Sequence, residues 1–131
     1  YINPSSIIYH LGGATLSYNS PYKTYLNHRN SLLLLLSNYN LSNSIQFLIP
    51  RLCMELISIL KDLLNLNVLH AFAQVRALLW IITHPHIIRN RRSQINKIRK
   101  ISDDELINDI IYNNSIVYEY FINRKKEYSN L

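Results

Sequence analysis

Residues 20–36 read SPYKTYLNHRNSLLLLL, and this stretch decides the fold. Ser20 followed by Pro21 favours a helix start, because serine caps helix N-termini and proline fits the first helical turn. Apolar side chains then recur at helical spacing, and the leucine run 32–36 covers every face of a helix, which predicts burial of its C-terminal half. The stretch therefore predicts a helix from Pro21 to about Tyr39.

The rest of the chain predicts a mainly α fold, in which an irregular or short-strand N-terminus is followed by four to five helices. The second helix ends near Leu66, with Pro50 opening or kinking it, the third spans about 67–83 and the fourth about 86–100. Ser102–Glu105 is a capping box that opens a fifth helix, and a short one follows after residue 115. Apolar stripes on the second and third helices predict a helical hairpin. They are Leu52, Leu56, Ile59, Leu60 and Leu63, then Val68, Phe72, Val75, Leu79 and Ile82.

Length and composition narrow the class further. The 131 residues suit one modest domain. The single cysteine, Cys53, excludes an internal disulfide framework, and its apolar helical context predicts a buried side chain. The longest charge-free apolar stretches near the basic residues are shorter than the roughly 18–20 residues that a membrane span requires.

Positive charge is concentrated in one segment. The formal net charge is +6, seven of the 14 basic residues lie between Arg76 and Lys100, and no acidic residue lies between Asp62 and Asp103. Trp80 and flanking isoleucines make this segment typical of a helix that lies on an anionic membrane, or equally of a solvated basic face. Nucleic-acid binding is a weaker third interpretation, because no recognised binding module is present.

Candidate functional residues cluster before residue 31. His10 precedes the only two glycines, Gly12 and Gly13, and a histidine beside a flexible loop suits a metal ligand, a general base or a structural role. Lys23 and Arg29 are isolated charges, and a half-buried Arg29 needs an anionic partner such as a phosphate or a carboxylate. His28 and His70 are interpreted as packing or structural residues. His84 and His86 are interpreted as capping or exposed residues, with an H-x-H metal pair as the less favoured alternative.

These motifs resemble bacterial family 2 glycosyltransferases of the rhamnosyltransferase-like type, which have a GT-A fold. Those enzymes carry H-x-G-G followed by S-P-x-[KR]-x-Y-x-x-x-R-N, and here residues 10–13 read HLGG and residues 20–30 read SPYKTYLNHRN. A basic tail ending R-x-x-S-D-x-E matches residues 99–105. The match covers residues 7–38 well and 75–107 loosely.

The resemblance implies a role for each matching residue. His10 would bind a divalent metal, Mn or Mg, near the sugar-nucleotide diphosphate. Gly12 and Gly13 would let the loop pass close to substrate. The remaining substrate-binding residues would be Lys23 and Arg29, which neutralise diphosphate charge, and Asn30, which supports Arg29. The implied activity is transfer of a sugar from a nucleotide-diphosphate donor to a cell-surface glycan or lipid-linked acceptor in polysaccharide biosynthesis.

One departure from the family pattern limits this expectation. The Asp-x-Asp metal site and the catalytic carboxylate of similar enzymes precede the histidine, whereas the first acidic residue here is Glu55. We therefore expect residues 1–42 to be the C-terminal end of a catalytic domain, residues 43–131 to be a membrane-associating helical extension, and this chain alone to be inactive and without a cofactor. The alternative is a non-catalytic helical adaptor or peripheral membrane-association module. The expected location is cytoplasmic, on the inner face of the bacterial cytoplasmic membrane.

Overall fold

The computed structural model describes residues 17, 19–109 and 116–124, and this part of the chain is helical without strands. The helices are α1 (Pro21–Asn38), α2 (Leu41–Leu64), α3 (Val68–Thr83), α4 (Pro85–Ile98), α5 (Asp103–Asp109) and α6 (Ile116–Phe121). The prediction of a mainly α fold is confirmed. The expected irregular or short-strand segment lies almost wholly outside the described residues.

Local signals place most helix ends where they were predicted. Ser20 is the N-cap residue of α1 and Pro21 lies in its first turn. The Ser102 hydroxyl accepts a hydrogen bond from the Glu105 amide at 3.2 Å, which is one of the two hydrogen bonds of a capping box. α2 begins earlier than expected, because the Asn40 side chain caps the amide of Asn43 at 2.8 Å. Pro50 therefore lies inside α2.

A tight turn at residues 65–67 joins α2 to α3 and confirms the predicted hairpin. Leu66 has a φ of 60°, a left-handed conformation that costs a non-glycine residue roughly 1–2 kcal/mol. The turn offsets this cost with backbone hydrogen bonds from Asn65 to Lys61 at 3.0 Å and from Asn67 to Asp62 at 2.8 Å. These bonds satisfy carbonyls at the end of α2.

α1 is the central helix, and α2, α3 and α4 all pack against it. The main core cluster joins Tyr25 of α1 to Ala73 and Ala77 of α3, with Leu26 and Trp80 packed around it. Leu32 and Leu33 are buried, as the leucine run predicted, although Leu34 is exposed. The predicted boundary between residues 42 and 43 falls in the first turn of α2, and the division into two parts stays a prediction.

The apolar stripes of α2 and α3 predicted the hairpin correctly, but they do not pack in its core as such stripes usually do. Leu56 and Leu60 are 59% and 58% exposed, and Phe72 and Ile82 are 66% and 72% exposed. α2 instead buries Ser44 and Glu55, while α3 buries alanines and Gln74.

Cys53 is also exposed, so the prediction that it is buried was wrong. Cys53 lies on the same side of α2 as the apolar stripe. Both are exposed because the opposite side of α2 makes the polar contacts with the rest of the fold.

Candidate anion-binding site

Arg29 is held between two aromatic rings on the α1–α3 side of the molecule. Its guanidinium carbon lies 5.2 Å from the ring centre of Tyr25 and 5.0 Å from that of Trp80. Its Nε and Nη2 atoms donate to the Asn30 side-chain oxygen at 3.1 and 2.9 Å. Its Nη1 atom donates to the Tyr25 hydroxyl at 3.4 Å. Stacking and these three hydrogen bonds orient the guanidinium on an otherwise flexible side chain.

Arg76 reaches the same aromatic group from α3. Its guanidinium carbon lies 4.8 Å from the Tyr25 ring centre. The sequence interpretation counted Arg76 only as part of the basic segment and did not place it in the site. A signal was present, because Arg76 is the only Lys, Arg, Asp or Glu between Asp62 and Arg89. We call Tyr25, Arg29, Asn30, Arg76 and Trp80 the arginine cluster.

The arginine cluster has the chemistry of an anion site. Among the described residues, the ion pairs involve His28, Arg51 and Arg99, and neither guanidinium of the cluster contacts a carboxylate. Arg29 and Arg76 place two positive groups against the ring of Tyr25, and planar guanidinium groups match phosphate oxygens well. The arrangement therefore has the charge and the donor type that a phosphate or diphosphate requires.

The other predicted site residues are placed differently. Lys23 is half-buried on α1, and six residues at about 100° each put it roughly 120° around the helix from Arg29. The structure therefore does not bring these two cations to one side of α1. His10, Gly12 and Gly13 lie outside the described residues, and their roles stay predictions.

A line of polar contacts joins α1 to the hairpin behind this site. Thr24 Oγ1 is 2.8 Å from His70 Nδ1, and Gln74 donates to Asp62. We call these two pairs, together with the group around Glu55 described next, the polar seam. The seam explains why polar residues of α2 and α3 point inward, since each has a partner there.

Glu55 is the buried centre of the polar seam. Its carboxylate is 2.5 Å from His28 Nδ1 and 2.5 Å from an Arg51 guanidinium nitrogen. Burial by itself raises the pKa of Glu55, but the hydrogen bond and charge of His28 and the Arg51 guanidinium outweigh it, so the pKa lies below its ordinary value. Glu55 is therefore ionised and structurally engaged.

A second polar group closes the other end of α1. Arg92 donates to the Leu36 carbonyl oxygen at 2.6 Å and to Ser44 Oγ at 3.3 Å. Arg99 donates to the Asn38 carbonyl oxygen and pairs with Asp103. Carbonyls in the last turn of a helix have no intrahelical partner and carry partial negative charge, so arginines are favourable there.

Asp103 completes this group from α5. Its carboxylate accepts from the Asn40 amide at 2.5 Å and from the Asn43 side chain at 3.3 Å, at the positive start of α2. Burial raises the pKa of Asp103, but the Asn40 hydrogen bond and Arg99 outweigh it and hold the pKa below its ordinary value. We call Ser44, Arg92, Arg99 and Asp103 the α1–α2 corner.

The corner gives a structural meaning to the R-x-x-S-D-x-E tail. Arg99 and Asp103 fasten α4 and α5 to the junction of α1 and α2, and Ser102 caps α5. Arg92 and Arg99, two basic residues of the segment between Arg76 and Lys100, therefore bind groups within the fold.

The described residues contain no cluster of three or more His, Cys, Asp or Glu that would hold a metal ion. Glu55 and Asp103 are ion-paired, and Asp62 accepts from Gln74. These carboxylates are therefore committed to contacts inside the fold, so they do not fit the role of metal partners for His10. The metal-binding role of His10 stays a prediction that requires ligands from elsewhere.

Comparisons with family models, with curated proteins and with solved structures found no match for this chain. The interpretation of function therefore depends on the motifs quoted above and on the geometry of the arginine cluster.

Proposed function

We propose that this chain is the C-terminal part of a family 2 glycosyltransferase that transfers a sugar from a nucleotide-diphosphate donor to a cell-surface glycan or lipid-linked acceptor. The observation that supports the proposal is that the Arg29 guanidinium is held in place without a carboxylate partner among the described residues. The side chain is stacked on Tyr25 and Trp80 and held by Asn30. Arg29 and Asn30 also end the S-P-x-[KR]-x-Y-x-x-x-R-N motif.

In this proposal the arginine cluster acts on the leaving group. The acceptor hydroxyl oxygen bonds to the anomeric carbon, the bond from that carbon to the diphosphate oxygen breaks, and the nucleoside diphosphate takes the electron pair. Arg29 and Arg76 neutralise the charge that develops on the diphosphate, and prepositioned donors of this kind contribute roughly 100- to 1,000-fold in kcat. The resemblance implies that two further groups lie upstream of His10. They are the base that takes the hydroxyl proton and the Asp-x-Asp metal ligands.

The remaining predicted residues complete the donor site in this proposal. His10 binds the divalent metal, Gly12 and Gly13 pass close to the donor, and Lys23 contacts the substrate from another side of α1. The enzyme works in the cytoplasm, on the inner face of the cytoplasmic membrane, where a lipid-linked acceptor is presented. No helix in the described part of the chain is long and apolar enough to cross a membrane. Four exposed cations support a peripheral contact, namely Arg89, Arg91 and Lys97 of α4 and Lys100 just after it.

The test uses the complete product of the gene that encodes this chain, assayed for release of nucleoside diphosphate from a panel of nucleotide sugars. We expect Arg29→Ala to lower kcat by about 100-fold or more with unchanged folding. Arg29→Lys restores part of the activity, because it keeps the charge without the planar donors. Arg91→Ala, at an exposed arginine of α4 outside the arginine cluster, is the control and leaves kcat unchanged in detergent solution, where no membrane contact contributes.

His10→Ala separates the metal role from the diphosphate role. We expect it to abolish activity and metal dependence while circular dichroism shows a folded protein. Absence of sugar-nucleotide turnover, or full activity in Arg29→Ala, overturns the proposal. Activity that keeps its metal dependence in His10→Ala overturns the metal assignment alone.

A further inference from the structure

The hairpin of α2 and α3 carries many exposed apolar side chains, and we call the surface that they form the outer face. Monomeric soluble proteins rarely expose contiguous apolar patches larger than a few hundred Å². An apolar groove of about 660 Å³, lined among others by Pro50, Met54 and Phe121, adjoins it between α2 and α6. The exposed residues of the outer face are Leu41, Ile45, Ile49, Leu52, Met54, Leu56, Ile57, Leu60, Leu63 and Leu64 of α2, and Val68, Leu69, Phe72, Val75, Leu79 and Ile82 of α3.

The polar seam keeps this face turned outward. α2 is amphipathic, but its polar side is the one that faces α1 and α3, where Glu55 pairs with His28 and Asp62 with Gln74. Rotating α2 to bury its leucines would strip these buried polar groups of their partners, which is strongly unfavourable. The apolar side is therefore not available to the molecule's own core.

The exposed charged residues of α2, α3 and the α4 segment favour one kind of partner for the outer face. Residues 17–102 contain eleven Lys or Arg and two acidic residues, Glu55 and Asp62, a net charge of 11 − 2 = +9. Both acidic residues are engaged in the polar seam. In the described part of this segment, all exposed charged side chains are positive, namely Lys61, Arg76, Arg89, Arg91, Lys97 and Lys100.

This charge distribution favours an anionic lipid surface over a second copy of the chain. A second copy would bring together two hairpins whose exposed charged side chains, Lys61 and Arg76, are both positive, and like charges repel. An anionic bilayer supplies both an apolar layer and negative head groups, which attract basic residues near its surface. Interfacial helices bind in this way, with an apolar face buried and basic residues at the head groups.

We infer that the outer face of α2 and α3 inserts into the head-group and upper acyl region of an anionic bilayer, with both helices lying along the surface. The inference rests on the peripheral membrane location proposed above and deepens it. The sequence pattern pointed to the basic segment around α4 as the membrane contact, whereas the exposed apolar residues make the hairpin the inserted element.

A site-specific label tests insertion directly. Cys53 is the only cysteine, so Cys53→Ser provides a background in which Leu60→Cys on the outer face and Leu34→Cys on α1 are each labelled with a polarity-sensitive fluorophore. Leu60 and Leu34 are matched, at 58% and 54% exposed. We expect the label at residue 60 to shift to shorter wavelength and be quenched by acyl-chain nitroxides in vesicles containing phosphatidylglycerol. The label at residue 34 keeps its aqueous emission.

Binding strength provides a second measurement that does not depend on labelling. We expect Leu60→Gln to lower partitioning of the 131-residue chain into phosphatidylglycerol vesicles by about tenfold, because a leucine no longer enters the bilayer. Leu34→Gln is the control and leaves partitioning unchanged. Vesicles of phosphatidylcholine alone bind weakly.

Each outcome decides a different claim. Vesicle binding that is lost at high salt, without quenching at residue 60, overturns insertion and leaves the peripheral location standing. No binding to anionic vesicles overturns both. A dimer in sedimentation equilibrium that shields residue 60 from an aqueous quencher shows that a second copy covers the outer face, and this also overturns the inference.

Discussion

The two ends of α1 use arginine in opposite ways. At the C-terminal end, Arg92 and Arg99 donate to backbone carbonyls of α1, and Arg99 also pairs with Asp103. In the N-terminal half, Arg29 and Arg76 stack on aromatic rings and contact no carboxylate among the described residues. Arginine is structural where the fold supplies backbone carbonyls and a carboxylate, and it is a candidate for binding where the fold supplies only aromatic rings, a hydroxyl and a neutral amide.

This difference divides the family-like motifs into two kinds. The R-x-x-S-D-x-E tail builds the α1–α2 corner, whereas the R-N pair at residues 29–30 builds the arginine cluster. Substitutions at the corner should therefore change stability, and substitutions in the cluster should change binding with a smaller cost in stability.

The largest effect is expected at Asp103. Asp103→Ala leaves Arg99 and the amide of Asn40, the N-cap residue of α2, without their buried anion. This costs about 3–5 kcal/mol in the free energy of unfolding measured in urea. Asp104→Ala is the matched control, because the neighbouring Asp104 is exposed, and surface substitutions change stability by about 0.5 kcal/mol or less. Equal losses in both variants would show that the corner is not a structural device.

A smaller loss is expected at the polar seam. Glu55→Gln keeps the shape of the side chain but removes the charge that His28 and Arg51 bind, and hydrogen bonds to charged groups contribute about 1.5–3 kcal/mol. Gln46→Glu, at an exposed position of the same helix, changes charge by the same amount without touching the seam. The check is urea unfolding at neutral pH, and a loss no greater than that of Gln46→Glu would contradict a structural role for Glu55.

The same two carboxylates predict acid sensitivity. The pKa values of Glu55 and Asp103 are held below their ordinary values in the folded protein, so the unfolded chain binds protons first as the pH falls. Stability is therefore fully present above the ordinary carboxyl range of about 4 and falls as the pH drops through and below it. Thermal unfolding from pH 6 to pH 2 measures the slope, which Glu55→Gln should reduce.

Arg29→Gln tests the other end of α1. We expect a stability loss of about 1 kcal/mol, because exposed cation–π contacts contribute roughly 0.5–1 kcal/mol each. Trp80 is the only tryptophan and lies against Arg29, so its fluorescence should change on titration with a nucleoside diphosphate. This response should weaken in Arg29→Gln and persist in Arg51→Gln, whose arginine pairs with Glu55 elsewhere.

The smallest effect is expected at Arg91, an exposed arginine in the same basic segment as the corner residues. Arg91→Gln should change the free energy of unfolding by no more than about 0.5 kcal/mol. It should leave the Trp80 response intact. A large loss of stability here would mean that the contrast between the two ends of α1 has been drawn in the wrong place.

The sequence by itself determined the helices and several of their ends. The Ser20–Pro21 start, the Ser102 capping box and the hairpin turn were all predicted, because each depends on residues a few positions apart. Burial of Leu32 and Leu33 was predicted for a similar reason, since a run of leucines covers whichever face packs inward. The pairing of Arg29 with Asn30 is equally local.

Only the tertiary structure decided which side of each helix faces inward and which arginines bind carbonyls or carboxylates within the fold. Periodicity shows that α2 has an apolar side, but not that His28 of α1 supplies a partner for Glu55 and so draws the polar side in. Nor does periodicity predict that Arg76 contacts the ring of Tyr25, or that Asp103 accepts from the amide of Asn40. Burial and pairing depend on contacts between residues far apart in the chain, and spacing along one helix carries no information about them.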